Sequence, residues 1–103
     1  MPDAHHRVDD TSELVSPSLL VFPRIVRSNI EAMIALARDP ARLRPHLKTH
    51  KMAEVVRLEE SIGIKKHKCA TIAEAEMVAA AGGTDVLLAY PLTGPNVKRF
   101  VQL

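Results

Sequence analysis

From residue 18 onward, short apolar runs alternate with longer stretches in which apolar residues recur every three or four positions. Residues 18–22 (Ser-Leu-Leu-Val-Phe) follow Pro17 as a compact apolar run and predict a buried strand. Val26, Ile30, Met33, Ile34 and Ala37 then fall on one stripe of a helix, which Asp39-Pro40 should stop, because a residue before proline is pushed out of helical geometry. Residues 42–48 predict a second strand. Side chains alternate along it, so Leu43, Pro45 and Leu47 share one face and Arg44, His46 and Lys48 the other. Pro45 has no amide hydrogen to give, which is unusual in a central strand.

Met52, Val55, Val56, Glu59 and Ile62 line one side of a second predicted helix, and Gly63 stands where a helix C-cap glycine belongs. Residues 64–70 predict a third strand. Thr71 and Glu74 have capping-box spacing, so a third helix should start there and run to Ala81, where Gly82-Gly83 ends it. Residues 85–90 predict a fourth strand, and Pro95 suits the first turn of a fourth helix. Strict β-α alternation with short links argues for an α/β fold with a parallel sheet and right-handed crossovers. A barrel and an open doubly wound sheet both fit this order, and neither is complete in four strands.

At 103 residues the chain suffices for one compact unit, whereas a closed βα barrel needs roughly 200 residues or more. Residues 1–15 are polar and read as a loose tail, leaving 16–103 as the structured part. His5 and His6 in that tail could bind metal, but no third ligand lies nearby, and a solvated tail is the simpler reading. A net charge of +2 and only three aromatic residues (Phe22, Tyr90, Phe100) argue against a nucleic-acid partner. No apolar run approaches the roughly 20 residues of a membrane helix, and the acidic start (Asp3, Asp9, Asp10) does not read as a signal peptide. Cys69 is the only cysteine, so no internal disulfide can form, and a reducing cytoplasm is the expected setting.

In α/β folds the working groups gather at the C-terminal ends of strands. Three predicted ends are visible: residues 48–50, 69–71 and 90–92. Lys48 would close a strand beside Arg44 and His46, and a lysine amine among cations loses its proton more readily, the state in which it can attack an aldehyde. The plainer reading is an exposed lysine beside a basic loop. His46 and His50 could relay protons or hold a phosphate, or could be ordinary hydrogen-bonded residues. The basic run 65–68 (Lys-Lys-His-Lys) reads as a solvated edge sooner than as a phosphate site, and Cys69 as buried packing sooner than as a nucleophile. No phosphate-binding glycine loop, dinucleotide fingerprint or zinc spacing is present.

The segment Arg44-Pro45-His46-Leu47-Lys48-Thr49-His50-Lys51 resembles the signature of the D-threonine aldolase and D-serine dehydratase family, relatives of alanine racemase. Residues 16–21, 69–76 and 85–91 resemble further segments of that family in the same order, so the likeness covers about residues 16–96. It implies that Lys48 carries pyridoxal 5′-phosphate as a Schiff base; His46, which flanks Lys48, is then a candidate further cofactor-binding residue by its position. It also implies a fold, the N-terminal portion of a (β/α)8 TIM barrel of the alanine racemase type. Residues 42–48 would be the first of three barrel strands here, and residues 18–22 would join a C-terminal β-domain. Two departures stand out: Val21-Phe22-Pro23-Arg24 lacks the acidic residue frequent after the opening strand, and Tyr90 replaces a frequent asparagine.

The same resemblance implies a lyase acting on a small D-amino acid, expected to be a homodimer in the full-length protein; composition adds a cytoplasmic setting with no nucleic-acid or membrane partner. Retro-aldol cleavage of a β-hydroxy D-amino acid to glycine and an aldehyde is the expected reaction, with dehydration as the alternative. A divalent metal (manganese or zinc), the phosphate-binding residues and the second catalytic groups would lie beyond Leu103, so this chain alone should be inactive. Two other readings remain: an amino-acid racemase, and a non-enzymatic carrier of pyridoxal phosphate.

Overall fold

The computed structural model describes residues 6–103. The chain folds as helix α1 (Pro23–Ala37), a 3-10 turn (Pro40–Arg42), helix α2 (Ala53–Ile62), strand β1 (Lys66–Cys69), helix α3 (Ile72–Ala80), strand β2 (Asp85–Leu88) and helix α4 (Pro95–Val101). It is a mixed α/β structure built on a two-stranded parallel sheet, with Lys66 opposite Asp85 and Cys69 opposite Leu88.

The helices follow the predicted stripes, and each begins or ends for a local reason. Pro23 and Pro95 occupy the first turns of α1 and α4, where a missing amide hydrogen costs nothing. Arg38 adopts left-handed geometry to close α1, and its N–H reaches the Ile34 carbonyl. Gly63 (φ 106°) does the same for α2. Thr71 caps α3 by accepting from the Glu74 amide at 3.1 Å, as the capping-box spacing predicts. Gly83 is required by space rather than by φ, since a Cβ there would lie 2.5 Å from Val78 Cγ1.

Two predicted strands do not form as expected. Residues 18–22 make neither helix nor strand, and Leu19 is 85% exposed. No strand among the described residues lies beside this run, so its backbone groups have no ladder to join. Val21 instead lines a shallow apolar groove with Val26, Met52, Val55 and Leu58. Residues 42–48 shrink to one parallel bridge, His46 opposite Lys68. The Lys68 amide donates to the Pro45 carbonyl and the Leu47 amide donates to the Lys68 carbonyl, both at 2.9 Å. The next rung upstream would need an N–H on residue 45, which proline lacks. Downstream, the Leu47 carbonyl accepts from Lys51 at 2.8 Å, and the chain turns away.

The core lies between the sheet and helices α2 and α3. Leu47, Val56, Cys69, Ala75 and Val78 form it, with Val86, Leu88 and Phe100 packed around them. The sheet's opposite face carries His46, Lys66, Lys68, Asp85 and Leu87, all partly or fully exposed. The radius of gyration is 16.3 Å, against about 13 Å for a compact domain of this length. No helix is long and apolar enough to cross a membrane.

Candidate active site

Lys48 stands in the turn that follows the His46 bridge, one residue past Leu47, whose side chain is 1% exposed. A buried anchor is thus followed directly by an exposed amine. The turn is held by its own polar groups. The Lys48 amide donates to His46 Nδ1 at 3.2 Å, the Lys51 ammonium donates to the Lys48 carbonyl at 3.0 Å, and the Met52 amide donates to His50 Nδ1 at 3.0 Å. Lys51 takes positive φ (51°) to complete it. Lys48 takes part in none of the ion pairs among the described residues.

The cations around Lys48 differ from those expected. Arg44 does not add its charge there, because its guanidinium reaches across β1 to the His67 carbonyl (3.0 Å) and to Asp85 (2.6 Å). That pair raises the Arg44 pKa and lowers that of Asp85. The nearby cation is Lys68, which stands on β1 opposite His46. Desolvation lowers the His46 pKa first, and the charges of Lys48 and Lys68 push it the same way, while Glu74 opposes them. His46 therefore favours its neutral form, able to accept or donate a proton beside the lysine amine.

Lys68 and Glu74 are neighbours that sequence reasoning did not assign to this site. Strand alternation could have found Lys68, since it shares a face with Lys66 and not with His67. Glu74 is 4% exposed; one carboxylate oxygen accepts from the Thr71 hydroxyl at 2.7 Å, and the other has no hydrogen-bond partner. The same alternation divides the basic run 65–68, which is not one solvated edge. Lys65 pairs with Glu60 (2.9 Å), Lys66 and Lys68 lie on the open face, and His67 is fully buried on the helix side. Cys69 is a buried packing residue whose thiol pKa is raised by burial and by Glu74.

The other two expected strand ends come together without Lys48. Ala70, Thr71, Tyr90 and Pro91 line a cavity of about 500 Å³ that Asn96 and Arg99 close from α4. His6 sets its ring edge-on to Phe22, with centroids 5.3 Å apart, and His5 lies outside the described residues. No group of three His, Cys, Asp or Glu side chains is placed to hold a metal ion among the described residues.

No protein-family model matches the chain, and no solved structure matches it. Curated proteins do. The chain is 32% identical over 88 residues to a D-threonine aldolase of Arthrobacter sp, covering 84% of this chain and 23% of that protein. It is 37% identical over 96 residues to a D-threo-3-hydroxyaspartate dehydratase of Delftia sp. (strain HT23), covering 92% and 25%. It is 32% identical over 101 residues to a D-serine dehydratase of Dictyostelium discoideum, again 92% and 25%. The chain spans about a quarter of the length of these relatives.

Proposed function

We propose that this chain, similar along most of its length to D-threonine aldolase and D-serine dehydratase, carries the cofactor lysine of a pyridoxal-phosphate-dependent lyase acting on β-hydroxy D-amino acids. The observation that carries the reading is Lys48 itself, an exposed amine with no ion pair among the described residues, directly after a buried anchor and inside the motif running from Arg44 to Lys51. The three relatives bear names built on serine, threonine and 3-hydroxyaspartate, all of D configuration and all bearing a β-hydroxyl. That shared chemistry favours a lyase over a racemase, which needs no β-hydroxyl.

The residues present fit the cofactor's aldehyde. Lys48 would hold it, and His46, kept neutral by burial and by its cationic neighbours, would exchange protons beside it. Once bound, the cofactor supplies an electron sink for the α-carbon of an amino acid. Lys68, opposite His46, would keep that side of the site positive and attract the carboxylate of an incoming substrate. The parallel sheet, its open polar face and the large radius of gyration support a place in a larger βα barrel.

Retro-aldol cleavage to glycine and an aldehyde is the first reading. Dehydration is the second, favoured by two of the three relatives' names. The test is to express the full polypeptide, add pyridoxal phosphate and record the visible spectrum before and after borohydride. D-threonine and D-serine are then supplied with and without manganese. Glycine with acetaldehyde would establish the aldolase, and pyruvate with ammonia from D-serine the dehydratase. A colourless protein at saturating cofactor would refute both.

A further inference from the structure

His67 is the largest polar side chain in the core, fully buried on the helix side of β1. Both ring nitrogens face carboxylates of α2. Nε2 is hydrogen-bonded to Glu60 Oε1 at 2.9 Å, whereas Nδ1 lies 3.4 Å from Glu59 Oε2, within ion-pair distance but outside hydrogen-bond geometry. Neither Nδ1 nor Glu59 Oε2, both buried, has another partner among the described residues. A neutral imidazole has one N–H and one bare nitrogen, so one of these contacts would set a lone pair against a carboxylate. Only the doubly protonated ring presents an N–H to both carboxylates. The surrounding charges agree. Glu59 and Glu60 of α2 and Asp85 of β2 are acidic, while Lys65 and Arg44 are basic and pair with Glu60 and Asp85. His50, the other titratable group nearby, is driven toward neutrality chiefly by burial. Lys66, opposite Asp85, is a third fixed cation, but it acts on Asp85; among the described residues Glu59 pairs with no cation except His67.

His67 also stands at the point from which β1 holds the segment before Lys48. Its carbonyl accepts from Arg44 at 3.0 Å, and the next residue, Lys68, brackets the segment by accepting from the Leu47 amide and donating to the Pro45 carbonyl.

We infer that His67 is a buried imidazolium that ties β1 to α2 through Glu59 and Glu60, and that it acts as a positioning residue for the Lys48 turn. The positioning part rests on the role proposed for Lys48, whereas the ionic state of His67 does not. The carboxylates of Glu59 and Glu60 raise the His67 pKa, against the opposing effect of burial. For Glu60, burial pushes the carboxyl up, but hydrogen bonds from Lys65 and His67 outweigh it and hold the pKa below its usual range. As pH climbs and His67 loses its proton, Glu59 is left facing a bare ring nitrogen, and the hold on residues 44–47 should slacken.

The test uses the full chain, labelled with 15N and without any cofactor. Long-range proton–nitrogen spectra at pH 7 should show both His67 ring nitrogens protonated, and one bare nitrogen would overturn the ionic state. Glu60→Gln keeps an acceptor for a neutral ring, so it should lower the pH at which His67 titrates; an unchanged midpoint would also overturn it. Amide exchange then tests positioning, through the rate at Leu47 relative to Val78 in α3. Between pH 6 and 9 that ratio should rise at least fivefold in the natural chain. A smaller rise would show that His67 only fills the core. Neither arm involves Lys48 chemistry, so failure of the cofactor reading would be seen separately.

Discussion

On the helix side of the sheet, the ionisable groups are buried and paired. His67 lies between Glu59 and Glu60, and Leu47, Cys69 and Val78 fill the space around them. On the open side, Lys48, Lys66 and Lys68 form no ion pair among the described residues, and the largest apolar side chain, Leu87, is half exposed. The helix side holds the fold together, whereas the open side keeps cations available. The difference comes from strand alternation: within four residues of β1, the side chains at 67 and 69 go to the core and those at 66 and 68 to the open face. An exposed amine can stand without an ion pair among the described residues here because the stabilising contacts lie behind it.

This contrast predicts that the same kind of truncation has opposite consequences on the two faces. Leu47→Ala should be the most damaging change, costing about 2–5 kcal/mol of unfolding free energy in a urea titration, since it empties a core position directly before Lys48. Gly83→Ala should follow at about 1–3 kcal/mol, because the added Cβ meets Val78 and the backbone around it must move. Thr71→Ala removes the cap of α3 and should cost about 1 kcal/mol by the same measurement. Lys48→Ala on the open face should change stability by less than about 0.5 kcal/mol, while removing the cofactor's visible absorbance altogether.

Stability should also depend on pH with a sign that differs between the histidines. His67 has a raised folded pKa, so its contribution is complete below the unfolded value of about 6.5 and is lost as pH rises through the folded one. His46 and His50 have lowered folded pKa values, so protonating them is penalised and their effect destabilises the fold as pH falls below about 6.5. Thermal melts of the natural chain against His67→Gln across pH 5–9 should separate the two. The loss on the alkaline side should vanish in the variant, and the loss on the acid side should remain.

The helices were legible because their signals are local: an apolar stripe, a proline in the first turn, a glycine after the last. The strands were less so, because a strand needs a neighbour. Residues 18–22 have strand composition but no partner among the described residues, and residues 42–48 are limited by Pro45 upstream and by the Leu47–Lys51 turn downstream. Lys48 was legible as a candidate from its motif. Its surroundings were not, since Arg44 turns to Asp85, and Lys68 and Glu74 come from elements 20 or more residues away. The two carboxylates around His67 were likewise hidden, because they belong to α2 and not to β1.

The most direct measurement is the location of the adduct. The full polypeptide is mixed with one equivalent of pyridoxal phosphate, reduced with borohydride, digested and mapped by mass spectrometry. The label should sit on Lys48 and spare Lys51, Lys66 and Lys68. A label spread evenly over those lysines, or centred on any one but Lys48, would contradict that assignment.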